Sequence, residues 1–343
     1  MRVTSNCDTI NSVVISNAPN IQYSPDVAFG GGYYMVVWSD GRTVPYYQIF
    51  GARVTPGGSV MEPSGMLVGP NNTFFQYYPS VAFGGTRFLA VWTYGTSPYQ
   101  IMGRFIDTTG TLGDTLVVAV PGGYIFGTRL ASNGANYFVA WVEYTGSDYA
   151  IKGVVLDSNG ARISGPFTIA TGIYYYNSMG LAFDGYNFIV TYSIMDGSVY
   201  QVYGIFYSAS GMPIETAFKI SNSTYNCYYG DVIPGANDRC LNVWCETRST
   251  YDIYGNIDVE VGIEEGSGNA SRMSLLKSTV VTNAIELRDY FEGNEAYVYD
   301  ASGGLIGMTR NGYYDCSKLG AGVYFVRAKT AANGSCVKVI KVK

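Results

Sequence analysis

"VAFGGGYYMVVWSDG" runs from Val27 to Gly41, and "VAFGGTRFLAVWTYG" runs from Val81 to Gly95. The end of the phrase returns further along the chain. "YYMVVW", "RFLAVW", "NYFVAW", "YNFIVTY" and "CLNVW" close on Trp38, Trp92, Trp141, Tyr192 and Trp244, at intervals of 54, 49, 51 and 52 residues. A second marker follows each copy: "YQIFGARV", "YQIMGRFI", "YAIKGVVL", "YQVYGIFY" and "YDIYGNID" hold Gly51, Gly103, Gly153, Gly204 and Gly255 in register. Each copy begins near "PDVAF" and ends on a run such as "MLVGP" or "FKISNS", with Gly, Asn and Asp turns between the runs. A four-strand unit repeated about every 50 residues builds a β-propeller. The expected fold is therefore all-β: a five-bladed β-propeller, followed by a small Ig-like β-sandwich in which short alternating strands and Gly turns replace the repeat.

The side-chain pattern explains why the units stack. Alternate residues of a strand point to opposite faces, yet Tyr34 and Val36 are apolar on one face and Met35 and Val37 on the other. Both faces must be covered, as they are when a blade packs between two others. The aromatic ends of the runs are accordingly expected to be packing residues between blades. The fifth copy loses its last strand after "NIDVEV", whereas the N-terminal "INSVVISNAPN" resembles the "AFKISNS" that closes the fourth. Residues Ser12 to Asn17 are thus expected to complete the fifth blade and remove an open edge. The resulting division is a propeller over 1–262, a Gly/Ser-rich linker over 263–274, and the sandwich over 275–343.

Composition narrows the chemistry. The 343 residues include 32 Tyr and no His, with 21 Lys and Arg against 26 Asp and Glu. A net charge of -5 without a basic cluster argues against nucleic acid as a partner. No apolar run is long enough to span a membrane. The opening "MRVTSNCDTI" has no signal-peptide core, so any export signal is expected to lie outside this sequence. Without His there is no Ser-His-Asp or Cys-His catalysis, and the six cysteines contain no C-x-x-C pair, so neither metal nor cofactor is expected. An even cysteine count fits an oxidising compartment. A hairpin turning near Gly235 to Asp238 would set Cys227 opposite Cys245 as a disulfide, leaving Cys7 and Cys240 as a second pair.

After the linker, "NEAYVYDASGGLIG" and "GYYDCSKLGAGVYFVRAKTAANGSCVKVIKVK" resemble the C-terminal sorting domain of substrates of the bacterial type IX secretion system. The resemblance rests on "LGAGVYFV" at Leu319 to Val326 and the lysine-ended tail, and covers about residues 275 to 343. It implies a bacterial protein handed to the secretion machinery through this domain and placed at the cell surface or outside the cell. The chain departs from that pattern in carrying Cys316 and Cys336, which are expected to form a bridge. The propeller copies also resemble repeats of secreted bacterial proteins of unassigned function, which specify a scaffold and no chemistry.

The innermost strands begin at Asp26, Ser80, Arg129, Gly180 and Asp231. Some five-bladed propellers are glycosidases with two or three carboxylates around the axis, but only Asp26 and Asp231 are acidic here, and channel lining or turn capping accounts for them. Tyrosines precede these strands: Tyr23, Tyr77, Tyr78, Tyr174, Tyr175, Tyr176, Tyr228 and Tyr229, with Tyr124 and Phe126 in the third copy. Tyr23, Asp26, Tyr77, Tyr78, Arg129, Tyr175, Tyr228 and Asp231 are the candidate binding residues. "DTTGTLGD" at Asp107 to Asp114 and "DSNG" at Asp157 to Gly160 read as turns rather than calcium loops. The expectation is a non-enzymatic extracellular protein, without catalytic residues, that acts by adhesion or self-assembly with itself or cell-surface glycans as partners. A glycan-binding lectin is the alternative, and a glycoside hydrolase ranks third.

Overall fold

The computed structural model describes residues 2–3, 9–43, 45–95, 98–174, 179–234, 240–248, 251–257, 279–281, 284–286, 296–300, 305–309, 313–317, 319–320, 322–328 and 336–341. Among these residues every regular element is a β-strand. The chain divides into two compact units, Met1–Ile263 and Glu264–Lys343.

The first unit opens with two short antiparallel strands, β1 (Arg2–Val3) and β2 (Thr9–Asn11). Antiparallel meanders follow. Sheet I holds β3 (Gln22–Gly30), β4 (Tyr33–Asp40), β5 (Gln48–Val54) and β6 (Met66–Leu67). Sheet II holds β7 (Gln76–Phe83), β8 (Arg87–Tyr94), β9 (Gln100–Asp107) and β10 (Leu112–Ala119). Sheet III holds β11 (Tyr124–Ser132), β12 (Tyr137–Tyr144), β13 (Tyr149–Leu156) and β14 (Arg162–Thr171). Sheet IV holds β15 (Met179–Phe183), β16 (Phe188–Asp196), β17 (Val199–Tyr207) and β18 (Phe218–Lys219). Among the described residues sheet V holds β19 (Asn226–Pro234), β20 (Cys240–Thr247) and β21 (Tyr251–Ile257).

The repeated aromatic holds consecutive sheets together. Met35 and Val37 of sheet I meet Phe88, Ala90 and Trp92 of sheet II, and Leu89 and Val91 of sheet II meet Val139 and Trp141 of sheet III. Phe138, Ala140 and Val142 then meet Phe188, Val190 and Tyr192 of sheet IV, whose Ile189 meets Trp244 of sheet V. In sheets II to V the aromatic therefore faces the preceding sheet. The first strands pack side by side in the order β3, β7, β11, β15, β19. This is a β-propeller-like arrangement.

The two ends of the series differ from its middle. Among the described residues no core cluster joins sheet V to sheet I. Val27 is 56% exposed, whereas its counterparts Val81, Leu130, Leu181 and Val232 are 4%, 7%, 9% and 7% exposed. On sheet V, Leu241 and Ile253 are 37% and 76% exposed. Residues Ser12 to Asn17, expected as a strand of the fifth blade, form no strand. Ile15 instead packs on Val36, Trp38, Phe50, Ala52 and Val54 of sheet I, and Val13 lines a cavity beside Trp38. Val68 has the corresponding place against sheet II, Val118 against sheet III, and Ile220 against sheet V.

The described residues of the second unit form two sheets. The larger holds β22 (Thr279–Val281), β24 (Ala296–Asp300), β25 (Leu305–Met308), β27 (Gly322–Ala328) and β28 (Cys336–Lys341), while β23 (Ala284–Glu286) pairs with β26 (Tyr313–Asp315). In the larger, the order is β22-β28-β27-β24-β25, and β22 runs parallel to β28. The expected linker at 263–274 lies outside the described residues.

The cysteine pairing is corrected. A bulge between Tyr228 and Asp231 sets Tyr228 opposite Cys245 and Cys227 opposite Glu246. Successive side chains alternate faces, so Cys227 turns into the core shared with sheet IV and Cys245 points the other way. Cys227, Cys240 and Cys245 are free thiols. Neither the Cys227–Cys245 bridge nor the Cys7–Cys240 bridge is formed, since Cys240 faces into the same enclosed core as Trp244. Cys7 and the side chain of Cys336 lie outside the described residues, and the expected Cys316–Cys336 pairing falls there.

Two measurements check this description. Ile15→Asp should destabilise the first unit by about 1–3 kcal/mol, because it removes a partly buried apolar side chain packed on the sheet I cluster and sets a charge beside Trp38. Urea unfolding read by tryptophan fluorescence should show the loss. Thiol titration of unreduced protein in denaturant should count at least the three thiols of Cys227, Cys240 and Cys245. Before unfolding, Cys245 should react first because it alone of the three is not buried.

Candidate functional site

Four inner strands carry the same irregularity. Register breaks between Tyr23 and Asp26, Tyr77 and Ser80, Phe126 and Thr128, and Tyr228 and Asp231. In each bulge one residue takes a left-handed backbone: Ser24 (φ 50°), Tyr78 (φ 51°), Gly127 (φ 76°) and Tyr229 (φ 55°). Glycine adopts this conformation without steric penalty, but an L-residue meets its own carbonyl at a cost of about 1–2 kcal/mol. Bulges bend a strand and re-aim its side chains. Here they set tyrosines at the ends of the inner strands.

Aromatic assemblies result, two of them around Tyr77 and Tyr228. In the first, Tyr23 stands edge-on to Tyr47 at 5.1 Å, Tyr77 lies 5.7 Å from Tyr47, and Phe75 stacks on Tyr77 at 5.5 Å. Tyr78 lies 6.1 Å from Tyr77. In the second, Tyr174 is 4.2 Å from Tyr228 and 4.6 Å from Tyr200, with Tyr229 at 6.2 Å. Separations of 4.5–7 Å in tilted or edge-on geometry are favourable for aromatic pairs. Burial, followed by repulsion between neighbouring phenolates, holds the ionisation of Tyr23, Tyr77, Tyr174 and Tyr228 above the ordinary tyrosine range. These four rings stay neutral at any physiological pH.

The sequence-predicted residues divide between these assemblies and the axis. Tyr23, Tyr77 and Tyr78 share the first, and Tyr228 is in the second. Tyr175 and Tyr176 lie outside the described residues. Asp26 is a crosslink: its Oδ2 accepts from Ser80 Oγ (2.7 Å) and Val81 N (2.9 Å), and its Oδ1 accepts from Val27 N (2.9 Å). Ser80 Oγ in turn accepts from Leu130 N at 3.1 Å, tying β3, β7 and β11 together. Asp231, the counterpart of Asp26, is exposed and accepts only from its own Val232 N (2.9 Å) among the described residues. Arg129 is partly buried, and its Nη1 donates to Thr128 O at 3.3 Å.

Tyr47 and Tyr200 were not among the sequence candidates, although a signal was present. The second marker opens on a tyrosine four residues before its glycine in every copy: Tyr47, Tyr99, Tyr149, Tyr200 and Tyr251. The loop between second and third strands brings these residues to the end where the first strand begins.

Other polar groups serve the scaffold. Trp38 Nε1 donates to Asp40 Oδ2 (2.8 Å), and Arg42 grips both oxygens of that carboxylate while lying over the Phe50 ring at 3.8 Å. Trp141 Nε1 donates to Glu143 Oε2. Asp107 Oδ1 accepts from Thr109 N and Thr111 N, and Asp157 Oδ1 from Asn159 N and Ala161 N, so both loops are closed turns. Among the described residues no group of three or more His, Cys, Asp or Glu could hold a metal ion.

No family profile matches the chain, and no curated protein matches its sequence. Solved structures similar to it include the endo-arabinase of Bacteroides thetaiotaomicron, with TM-score 0.45 and 9% identity, covering 75% of this chain and 100% of that one. They also include the GH32 β-fructofuranosidase of Bombyx mori, with TM-score 0.42 and 8% identity, covering 94% and 86%. A third is the α-L-arabinofuranosidase of Podospora anserina, with TM-score 0.39 and 8% identity, covering 69% and 89%. The expectation of a non-enzymatic protein acting by adhesion or self-assembly is corrected by these comparisons. It rested on finding only two carboxylates, Asp26 and Asp231, at the inner-strand starts, and the similar solved chains are enzymes. At such identity none of their residues, substrates or reactions carries over.

The buried phenols make the fold sensitive to alkali. Burial pushes Tyr137 and Tyr207 up to about 12. A folded-state pKa above the unfolded value of 10.0 means that stability is complete below pH 10 and is lost as pH rises toward 12. The opposite holds for Asp40: burial opposes its charge, but donors from Arg42 and Trp38 outweigh burial and lower its pKa. Its contribution is lost as pH falls below about 4. Stability measured against pH should therefore form a plateau with shoulders at both ends, and tyrosinate absorbance should rise in two phases, the second coincident with unfolding.

Proposed function

We propose that this protein recognises carbohydrate, with the tyrosine-lined ends of the inner strands as the binding face. The observation that carries the reading is the pair of aromatic assemblies around Tyr77 and Tyr228. Tyrosine offers a large, stiff and amphipathic surface at small entropic cost. The apolar C–H face of a sugar ring packs flat on such a ring, and its hydroxyls pair with neighbouring phenols. Asp231 is the carboxylate at this end whose second oxygen meets no donor among the described residues, so it can bond a sugar hydroxyl or serve in proton transfer. Asp26 is committed to holding strands together.

The same proposal extends to the architecture. Ile15 sits on sheet I as Val68, Val118 and Ile220 sit on the sheets that follow them, which supports the N-terminal segment as the cover of sheet I and a five-bladed ring. Closure would bury Val27 as its four counterparts are buried. For the second unit, "LGAGVYFV" and the lysine-ended tail support an Ig-like domain of the type IX sorting class, and with it a location at the cell surface or outside the cell.

Affinity electrophoresis tests the binding face. Gels containing xylan, hydroxyethylcellulose or galactomannan should retard the parent, and Tyr77→Ala with Tyr228→Ala should weaken retention at least tenfold, about 1.4 kcal/mol. Equal retention of parent and double variant would falsify the reading. Release of reducing ends by the parent, lost in Asp231→Asn, would make Asp231 a catalytic residue.

A further inference from the structure

We infer that the interface between sheets IV and V opens while sheets I to IV stay packed, and that ligand held across the second aromatic assembly keeps it shut. The opening follows from packing within the chain and stands apart from the carbohydrate reading, whereas its control by ligand rests on that reading.

Each pair of consecutive sheets meets through equivalent positions, so the interfaces can be compared residue by residue. Four residues before the repeated aromatic, the later sheet contributes Phe88, Tyr137 and Phe188 at the first three interfaces, all fully buried. The fourth has Cys240 there. Two residues before the aromatic stand Ala90, Val139 and Val190, but Asn242 on sheet V. From the earlier sheet, Val37, Val91 and Ala140 face forward, and the equivalent residue of sheet IV is Thr191. One interface thus exchanges a ring for a thiol and two aliphatic side chains for polar ones.

These exchanges weaken the contact. Thr191 and Asn242 are 0% and 1% exposed, and neither Thr191 Oγ1 nor either polar atom of the Asn242 amide has a hydrogen-bond partner among the described residues. A polar group buried in that state gives up its hydration without replacement. The inner strands follow the same trend. Asp26 reaches Ser80 and Val81 across the first interface, and Ser80 reaches Leu130 across the second. Sheet IV has Gly180 at that place and no side chain to send across, since a Cβ there would stand 2.8 Å from Val232 N.

Sheet V is held best at its tyrosine end. Tyr174, whose amide donates to Ser193 O of sheet IV, lies 4.2 Å from Tyr228 and shares a hydrogen bond with Tyr229. Tyr200 lies 5.5 Å from Tyr228, and its amide donates to Asn226 Oδ1 at 2.9 Å. These contacts exist only while the two sheets are together. A sugar packed on Tyr174 and Tyr228 at once therefore binds the shut state alone, and a ligand selective for one state shifts the population toward it.

Cys227 and Cys240 report the opening, because both are free thiols buried in the core between the two sheets. The test alkylates the full chain with iodoacetamide in native buffer and in urea below the unfolding transition, and maps each cysteine by peptide mass. Both thiols should react together, at least tenfold faster than global unfolding read by tryptophan fluorescence allows, and with a weak urea dependence because a partial opening exposes little surface. Asn242→Val and Thr191→Val restore the residue type of the other interfaces, and each should slow alkylation of Cys227 at least tenfold, about 1.4 kcal/mol. Xylan, hydroxyethylcellulose or galactomannan, at about ten times the concentration that half-retards the parent, should slow it about tenfold. Alkylation with the urea dependence of global unfolding, or accelerated by both variants, would overturn the opening. Unchanged alkylation in a polymer that does retard the parent would overturn the ligand's control and leave the carbohydrate reading standing. A parent that no polymer retards would overturn that reading and the ligand's control together, and the opening is then decided by the alkylation rates alone.

Discussion

The first unit depends on one constraint: a sheet with two apolar faces has to be covered on both. Trp92, Trp141, Tyr192 and Trp244 meet that requirement by lying against the sheet before them, and each sheet repeats the solution for the next. An indole placed there brings a polar N–H into the core. Trp38 and Trp141 deliver theirs to a carboxylate two residues on, Asp40 and Glu143. Trp92 is followed at that spacing by Tyr94, and its Nε1 has no partner among the described residues.

Sheets IV and V carry the weakest version of this contact. Thr191 Oγ1, Ser193 Oγ and both polar atoms of the Asn242 amide are buried there without hydrogen-bond partners among the described residues. Each such group costs on the order of 1–3 kcal/mol relative to a bonded one. The interfaces between sheets I and III are richer in aliphatic contact, and the Asp26–Ser80–Leu130 chain binds their inner strands directly.

The bulges connect this scaffold to the proposed site. They let the inner strands pack without interruption below the break and turn tyrosines outward above it. Strain at Tyr78 and Tyr229 is tolerable because the flanking residues, Tyr77 and Ser80 or Tyr228 and Val232, are fixed by stacking and by the neighbouring sheet. Stability and surface chemistry are supplied by adjacent residues of one strand.

The repeat spacing, the doubly apolar strands and the turn glycines determined the sheets, their antiparallel order and the packing role of the aromatic ends, because these follow from local periodicity. Tyr23, Tyr77, Tyr78 and Tyr228 were also legible, since they stand next to strand starts whose positions the repeat sets. Three features came from the tertiary structure alone. The one-residue offset at the Tyr228–Asp231 bulge turned Cys227 and Cys245 to opposite faces, and no spacing rule reports a bulge. The different duties of Asp26 and Asp231 depend on whether a following sheet offers a hydroxyl and an amide, which two identical side chains cannot reveal. The left-handed backbone at Tyr78 and Tyr229 is a property of the bulge geometry, because in sequence a tyrosine predicts an extended residue like its neighbours.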